Sequence, residues 1–204
     1  MTSELNTNKF HGLETLKNAS PEAIEAALKE LAGGIEALDQ NAAAGMQQRL
    51  DSKIKPLRSL GVLEDIAQQI AGIMRTPNPK LKQKAVLLMA GDHGVVVEGV
   101  SAAPQEITAQ MFYSYLRGEA GINVLAKHGG AEVICTDIGI VSPLDPPELM
   151  AYRVKNGTNN IAHGPAMTRE EAMRAILTGA QIAKEAIDSG VNLLATGEVG
   201  IGNT

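Results

Sequence analysis

Residues 84–111, KAVLLMAGDHGVVVEGVSAAPQEITAQM, decide the fold that the sequence predicts. The apolar run at 86–89 is short and continuous, and a glycine follows it, which is typical of a parallel strand covered on both faces. Asp92 and His93 then stand at the carboxyl end of this strand. In open α/β sheets that end borders the crevice where ligands bind. The stretch therefore predicts a buried strand that leads into a functional loop.

The end of the chain repeats this arrangement. An apolar run at 193–195 leads into the polar and glycine-rich sequence TGEVGIGNT at 196–204. The carboxyl ends of parallel strands meet at the same edge of a sheet, so the two loops should approach each other. Together the two stretches predict one shared site.

Helical patterns dominate the first third of the chain. A helix is predicted to begin after Ser20, which is a favourable N-cap, and to end at Gly33. A second helix is predicted over about 35–50, and a third carries apolar residues within 63–70. We expect these helices to pack beside a sheet.

Strand and helix patterns alternate in the remainder. A long helix is predicted from Ile107 to His128, where the internal glycines favour close backbone packing or a break near Gly118. The strand-like sequence AEVICTD follows at 131–137, and Thr168 with Glu171 form a capping box that opens a further helix. This alternation predicts an α/β fold with a doubly wound, mostly parallel, Rossmann-like sheet and additional N-terminal helices. We expect residues 1–80 to be a helical segment packing on the core and residues 81–204 to be the α/β core.

The composition narrows the class of protein. The formal net charge of −5 argues against extensive nucleic-acid binding, which requires a basic surface. Cys135 is the single cysteine, so the sequence allows neither an internal disulfide nor a zinc site with several thiolates. No run of about 18 apolar residues is present to span a bilayer, and the polar start is unlike a signal peptide. The sequence predicts a cytoplasmic protein.

Four segments carry a resemblance to a known family: GDHGVVVEGVSAAPQEITAQM, RGEAGINVLAKHGGAEV, GTNNIAHGPAMTREEA and GEVGIGNT. In this order and spacing they resemble the nicotinate-nucleotide:dimethylbenzimidazole phosphoribosyltransferases of cobalamin lower-ligand assembly. The resemblance runs from about residue 36 to the last residue. It implies a glycosyltransferase of the pentosyltransferase type, which forms homodimers and needs neither a cofactor nor a metal.

The resemblance also implies a reaction. Phosphoribosyl transfer from nicotinate mononucleotide to 5,6-dimethylbenzimidazole, or to a similar base, gives α-ribazole 5′-phosphate and nicotinate. Positive charge builds on the sugar ring as the nicotinate leaves, so a carboxylate near C1 would stabilise the transition state. Glu198, at the end of a predicted strand, is the candidate for this catalytic role. Without the resemblance, a structural or helix-capping carboxylate is an equally good interpretation.

The glycine-rich turn after Glu198 is the candidate phosphate and ribosyl site. Glycines allow close backbone approach, and unpaired backbone N–H groups bind phosphate. The sequence is neither a Walker motif nor the dinucleotide fingerprint, so the position after a strand and the resemblance carry this prediction. The predicted residues are Gly200, Gly202, Asn203 and Thr204.

The resemblance places the pocket for the acceptor base in the central stretch. Ala103 falls where the family often has a larger or hydroxylated side chain, which leaves the identity of the accepted base open. Asp92 and His93 have a second interpretation as a metal or acid–base pair, although the sequence lacks an accompanying cluster of ligands. The predicted pocket residues are Asp92, His93, Ser101, Ala103, Pro104, Gln105 and Met111.

The family's principal general base is a glutamate downstream of the last residue of this sequence. We therefore expect the chain to be an amino-terminal portion of the enzyme and inactive by itself. Two alternatives remain: a non-catalytic nucleotide or small-molecule binding protein of the same fold, and a metal-dependent hydrolase that uses Asp92 and His93. Fold analogy alone does not decide between them.

Overall fold

The computed structural model describes residues 19–204. The first 18 residues of the predicted helical segment lie outside the described residues. The chain divides into two compact units, one of which contains the described residues up to Lys29 together with Lys82–Thr204, while Glu30–Leu81 form the other. That residues 1–80 pack on the core stays a prediction.

The larger unit is built on a parallel sheet. Its strands are β1 (Lys84–Gly91), β2 (Ala131–Gly139) and β3 (Leu193–Val199), in the order β2-β1-β3. Both pairings with the central β1 are parallel. The predicted mostly parallel α/β sheet is confirmed. The register places Glu198 of β3 beside Met89 of β1, so these two side chains stand on the same face of the sheet.

Helices cover both faces of β1, because its side chains alternate between them. On one face Leu87 packs with Ile182 of helix α6 (Arg169–Asp188), in a cluster that also contains Tyr152. On the other face Leu88 packs with Phe112 of helix α4 (Ile107–Arg117). Each such buried side chain contributes about 1.5–3 kcal/mol through removal of apolar surface from water. The two layers hold the carboxyl end of β1 in a fixed position.

The long helix predicted from Ile107 to His128 is two helices. Helix α4 ends at Arg117, and helix α5 (Gly121–Gly129) begins after a short connection. Gly118 has a φ of 78°, in the left-handed region that favours glycine, and its N–H bonds back to Tyr115. Of the two alternatives for the internal glycines, the break near Gly118 is observed, and close backbone packing is not.

The predicted capping box is confirmed. Thr168 Oγ1 accepts a hydrogen bond from the Glu171 N–H at 3.1 Å, and Glu171 Oε2 accepts one from the Thr168 N–H at 2.8 Å. Helix α1 (Pro21–Gly33) also begins as predicted, since Ser20 Oγ accepts from the Ala23 N–H at 3.3 Å. Ile24 of α1 is fully buried against Leu177 of α6.

The smaller unit contains helices α2 (Gln40–Asp51) and α3 (Val62–Ile73), which pack against each other. Helix α2 begins five residues later than predicted, because Asp39 is its N-cap and accepts from the Ala42 N–H at 2.9 Å. The basic loop before α3 pairs with that helix: Lys55 Nζ lies 2.8 Å from the buried Glu64 Oε1. Among residues 19–204, no helix is both long and apolar enough to cross a bilayer.

Candidate active site

The carboxyl ends of β1 and β3 approach each other closely, as the sequence predicted. A Cβ at Gly200 would lie 1.7 Å from the carbonyl oxygen of Gly91, so no side chain fits there. Gly202 has a φ of 92°, and a Cβ on it would lie 3.3 Å from the Cβ of His93. Packing and backbone conformation therefore require these two glycines, whatever they bind.

Glu198 is the penultimate residue of β3 and is half-exposed at this edge of the sheet. Its Oε1 lies 3.1 Å from His93 Nε2, and its Oε2 accepts a hydrogen bond from Asn203 Nδ2 at 2.8 Å. Both carboxylate oxygens are thus held by predicted site residues. Within residues 19–204 the carboxylate caps no helix, and its partial exposure leaves it accessible to a ligand.

Asp92 is buried and connects three segments. Its Oδ2 accepts from the Val141 N–H at 2.8 Å, and its carbonyl oxygen accepts from the Thr158 N–H at 3.0 Å. Its Oδ1 is buried and has no hydrogen-bond partner in the described part of the chain. These contacts agree with the prediction that Asp92 orients loops through hydrogen bonds.

The loop at 156–165 lies against the segment that follows Asp92. The Gly94 N–H donates to Thr158 Oγ1 at 3.1 Å, and a Cβ on Gly94 would lie 2.4 Å from the Thr158 carbonyl oxygen. Farther out, Glu98 Oε1 lies 3.0 Å from His163 Nε2 and accepts from Asn160 Nδ2 at 2.5 Å. The sequence identified both loops as polar, but it gave no sign that they contact each other.

A buried ion pair supports the segment that contains Val141. Asp137 Oδ1 accepts from the backbone N–H groups of Gly139 and Ile140 at 2.9 and 2.7 Å, and its Oδ2 lies 2.6 Å from Arg153 Nε. Burial raises the pKa of Asp137, while these hydrogen bonds and the Arg153 charge oppose the increase. The pair fixes the turn after β2, and with it the N–H group that Asp92 accepts.

Three of the seven predicted base-pocket residues line two cavities, Met111 one of them and Asp92 and His93 the other, and Glu198 lines both. Ser101, Ala103, Pro104 and Gln105 line neither cavity. Met111 lines a cavity of about 330 Å³ together with Tyr115 and Ile122. The pKa of Tyr115 is raised by burial, and the electrostatic influence of Cys135 and Glu198 adds to the increase. The site therefore has a larger cavity on the α4 side of the sheet, which is called cavity A here.

The smaller cavity, cavity B, has a volume of about 180 Å³. Asp92, His93 and Lys155 line it together with Glu198. The remaining wall is largely apolar and comes from β1, β2, the loop that follows β2, and α6 with the residues just before it. Its members include Met89, Ile138, Val154, Met167 and Ala175. Lys155 was missed by the sequence reasoning, because a lone lysine in a loop is normally just solvated.

The segment predicted to complete the base pocket forms the turn before α4. The Ala103 N–H donates to Ser101 Oγ at 3.2 Å, and the carbonyl oxygens of Pro104 and Gln105 accept the first backbone bonds of the helix. Thr108 joins this segment to the loop after β3, since its Oγ1 accepts from the Ile201 N–H at 3.0 Å. The base-binding role of the turn stays a prediction.

The metal-site interpretation of Asp92 and His93 finds no further ligands. Throughout residues 19–204, no three histidine, cysteine, aspartate or glutamate side chains are grouped so that they could hold a metal ion. His93 is instead engaged with Glu198 at 3.1 Å. Glu198 is the residue that lines both cavities at this edge of the sheet.

Comparison with known proteins identifies the class. A family model described as Phosphoribosyltransferase matches residues 35–204. The chain belongs to this phosphoribosyltransferase family, and the resemblance noted in the sequence is confirmed.

Individual relatives narrow the identification. The chain is 51% identical over 179 residues to the nicotinate-nucleotide--dimethylbenzimidazole phosphoribosyltransferase of Desulforamulus reducens, covering 87% of this chain and 51% of that protein. It is 50% identical over 178 residues to the enzyme of the same name from Geobacter sulfurreducens, again covering 87% of this chain and 51% of that protein. The solved structure of such an enzyme from Thermus thermophilus matches 81% of this chain and 51% of its own, with a TM-score of 0.76 and 47% identity. The chain spans about half the length of the curated relatives it matches.

Proposed function

We propose that the protein takes part in phosphoribosyl transfer from nicotinate mononucleotide to 5,6-dimethylbenzimidazole or a similar base, giving α-ribazole 5′-phosphate and nicotinate. One observation carries the proposal: Glu198 stands at the end of β3, lines both cavities, and has each carboxylate oxygen held by a neighbouring side chain. Such an arrangement suits a reaction in which two ring systems are exchanged on one sugar carbon.

The reaction is a displacement at C1 of the ribosyl group. A nitrogen of the base forms a bond to C1, the bond from C1 to the nicotinate nitrogen breaks, and its electron pair stays on the departing ring. The acceptor base loses the proton of its other ring nitrogen to solvent. Attack from the face opposite a β-linked nicotinate gives the α-product.

Glu198 would stabilise the positive charge that develops on the sugar ring. A preorganised carboxylate in a partly desolvated site acts without having to reorganise during the reaction. His93 and Asn203 fix its orientation, which makes them positioning residues for the transfer. The conformational entropy of the Glu198 side chain is therefore already restricted in the protein before substrate binds.

The backbone after β3 would bind the 5′-phosphate. Gly200 and Gly202 add no side chain of their own to this turn, and Asn203 and Thr204 add polar groups. Backbone N–H groups in such turns suit phosphate oxygens. The acceptor base would occupy cavity A, where Met111 lines the wall.

The proposal extends to the cellular setting. We propose a cytoplasmic enzyme of cobalamin biosynthesis that acts as a homodimer and does not bind nucleic acid. The net charge of −5 supports the last point. Exposed apolar side chains on α3, such as Leu63 and Ile66, offer surface for self-association. Sedimentation at micromolar concentration that showed only monomer would contradict the dimer.

The experiment is to incubate the purified full-length protein, with any residues that follow Thr204 included, with nicotinate mononucleotide and 5,6-dimethylbenzimidazole and to separate the products by liquid chromatography. Nicotinate and α-ribazole 5′-phosphate should accumulate in equal amounts, and only when both substrates are present. Saturable binding of nicotinate mononucleotide without product would favour the non-catalytic binding protein. Absence of product with any of several benzimidazoles would overturn the transferase proposal.

A further inference from the structure

A third cavity lies on the same face of the sheet as cavity A, and it is called cavity C here. Its volume is about 360 Å³, and Val133 and Cys135 line it from β2 while Asn123 lines it from α5. Cavity A is lined instead by Leu88 of β1 and Val199 of β3. The strand order β2-β1-β3 therefore places the two cavities side by side on the α4 face of the sheet.

Tyr115 of α4 is the residue that the two cavities share. Within the described part of the chain, no other residue lines both cavity A and cavity C. Its side chain packs against the core cluster that contains Leu88 and Cys135. Burial raises the pKa of Tyr115, and the influence of Cys135 in cavity C and of Glu198 in cavity A adds to the increase, which agrees with a side chain within reach of both spaces. The Tyr115 ring thus forms the partition between them.

The hydroxyl group of Tyr115 has no structural role of the kind that the other two tyrosines show. Tyr113 Oη accepts from the Asp145 N–H at 2.7 Å, and Tyr152 Oη donates to Glu185 Oε2 at 2.7 Å. The Tyr115 hydroxyl forms no hydrogen bond within residues 19–204. Shortening this side chain therefore leaves no hydrogen-bonding group of the protein without its partner.

An aromatic base bound in cavity A has a defined direction. Its reacting nitrogen must face C1 of the sugar beside Glu198, which lines this cavity. The fused benzene ring then extends away from Glu198, and its far end approaches another part of the wall. Resting on the proposed function, we infer that Tyr115 limits the length of the acceptor base, because its ring closes cavity A against cavity C. Removal of the ring joins the two spaces.

A partition of this kind discriminates between bases by their length. Naphtho[2,3-d]imidazole has a third fused ring where 5,6-dimethylbenzimidazole has two methyl groups, so it is longer by two carbon atoms. One additional methylene group in a closed hydrophobic pocket changes kcat/KM by about 10–200-fold. The wild-type protein should therefore use 5,6-dimethylbenzimidazole at least about tenfold more efficiently than the longer base.

The test is competition between these two bases for nicotinate mononucleotide, with the full-length protein and any residues that follow Thr204 included. The amounts of the two nucleotide products give the ratio of the two kcat/KM values. Tyr115→Ala should lower this ratio at least about tenfold, whereas Tyr115→Phe keeps the ring and should stay within about twofold of the wild type. Loss of folded protein reduces both products equally and leaves the ratio unchanged. If Tyr115→Ala does not fold, Tyr115→Leu removes the ring with less loss of packing and should shift the ratio in the same direction.

Filling cavity C supplies a second test. Val133 lines cavity C and is not among the residues that line cavity A. With Tyr115 in place, Val133→Phe should leave the ratio unchanged. Together with Tyr115→Ala, the same substitution should occupy the space that the first one opened and restore the preference for the shorter base. Equal use of the two bases by the wild type, or an unchanged ratio in Tyr115→Ala, would overturn the inference.

The inference and the proposed function can fail separately, because binding of each base is also measured by fluorescence titration. If nicotinate is released but the wild type and Tyr115→Ala have the same ratio, the transferase function stands and the role of Tyr115 is wrong. If neither base releases nicotinate but Tyr115→Ala removes the preference of the wild type in binding, the partition stands and the transfer proposal fails.

Discussion

Gly200→Ala is the substitution that tests the geometry of the site most severely. The added Cβ would lie 1.7 Å from the carbonyl oxygen of Gly91, whereas real Cβ contacts essentially never fall below 3.0 Å. The ends of β1 and β3 would have to separate by more than an ångström. Overpacking typically costs about 1–3 kcal/mol and occasionally more, and since the clash is with backbone we expect at least about 3 kcal/mol. In a chain of this size that lowers the melting temperature by roughly 6–12 °C.

The assay is thermal and denaturant unfolding of the unliganded protein, followed by circular dichroism. Gly179→Ala is the matched control, because Gly179 lies within α6 and a Cβ there meets no atom within 4 Å. Alanine in a helix interior is favoured over glycine by about 1 kcal/mol, so the control should be slightly more stable than the wild type. A Gly200→Ala protein within about 0.5 kcal/mol of wild type would refute the close approach of the two strand ends.

Three further outcomes are expected. Ile182→Ala should lower the free energy of unfolding by about 2–5 kcal/mol in denaturant titration, because Ile182 fills the core between α6 and the sheet; a loss below about 1 kcal/mol would contradict that packing. Burial raises the pKa of Cys135 to about 12, and the charge of Asp137 adds to the increase. Iodoacetamide at pH 8 should therefore modify this thiol far more slowly in the native protein than in the unfolded protein. Equal rates of modification would contradict the burial of the thiol. The hydrogen bond from Lys55 lowers the pKa of Glu64, so the stability that this pair adds is present above the unfolded pKa of the carboxyl group and is lost as the pH falls through the lower folded pKa. Lys55→Met should therefore flatten the fall in unfolding free energy between pH 7 and pH 2. An unchanged pH profile would be inconsistent with the pair.

The sequence predicted the sheet because its strongest signals are local. The run at 86–89 is too short and too apolar for a surface helix, and the capping box at Thr168 is a complete pattern within four residues. The boundaries that were wrong depended on weaker cues. Asp39 overrides the helical spacing that begins at Ile35, because a side-chain cap fixes a helix start more firmly than periodicity does.

The candidate site was predictable in part. The sequence placed Glu198 and His93 at the ends of two strands, and the parallel order brings them together. It could not predict that Asp92 keeps one oxygen for Val141 and leaves the other without a partner within residues 19–204, since that depends on the path of a distant turn. Nor could it place Lys155 in a cavity, because exposure of a loop lysine is set by tertiary packing.

The central claim is that Glu198 stabilises the transition state of the transfer. Glu198→Gln keeps the shape and the hydrogen bond from Asn203 but removes the negative charge. The measurement, made on the full-length protein with any residues that follow Thr204 included, is steady-state release of nicotinate from nicotinate mononucleotide with 5,6-dimethylbenzimidazole. The control is Glu148→Gln, which changes an exposed carboxylate away from the site. The account predicts a fall in kcat of about 10²–10³ with a smaller change in KM, and no change for Glu148→Gln. A Glu198→Gln protein with wild-type kcat and only a lower melting temperature would contradict it.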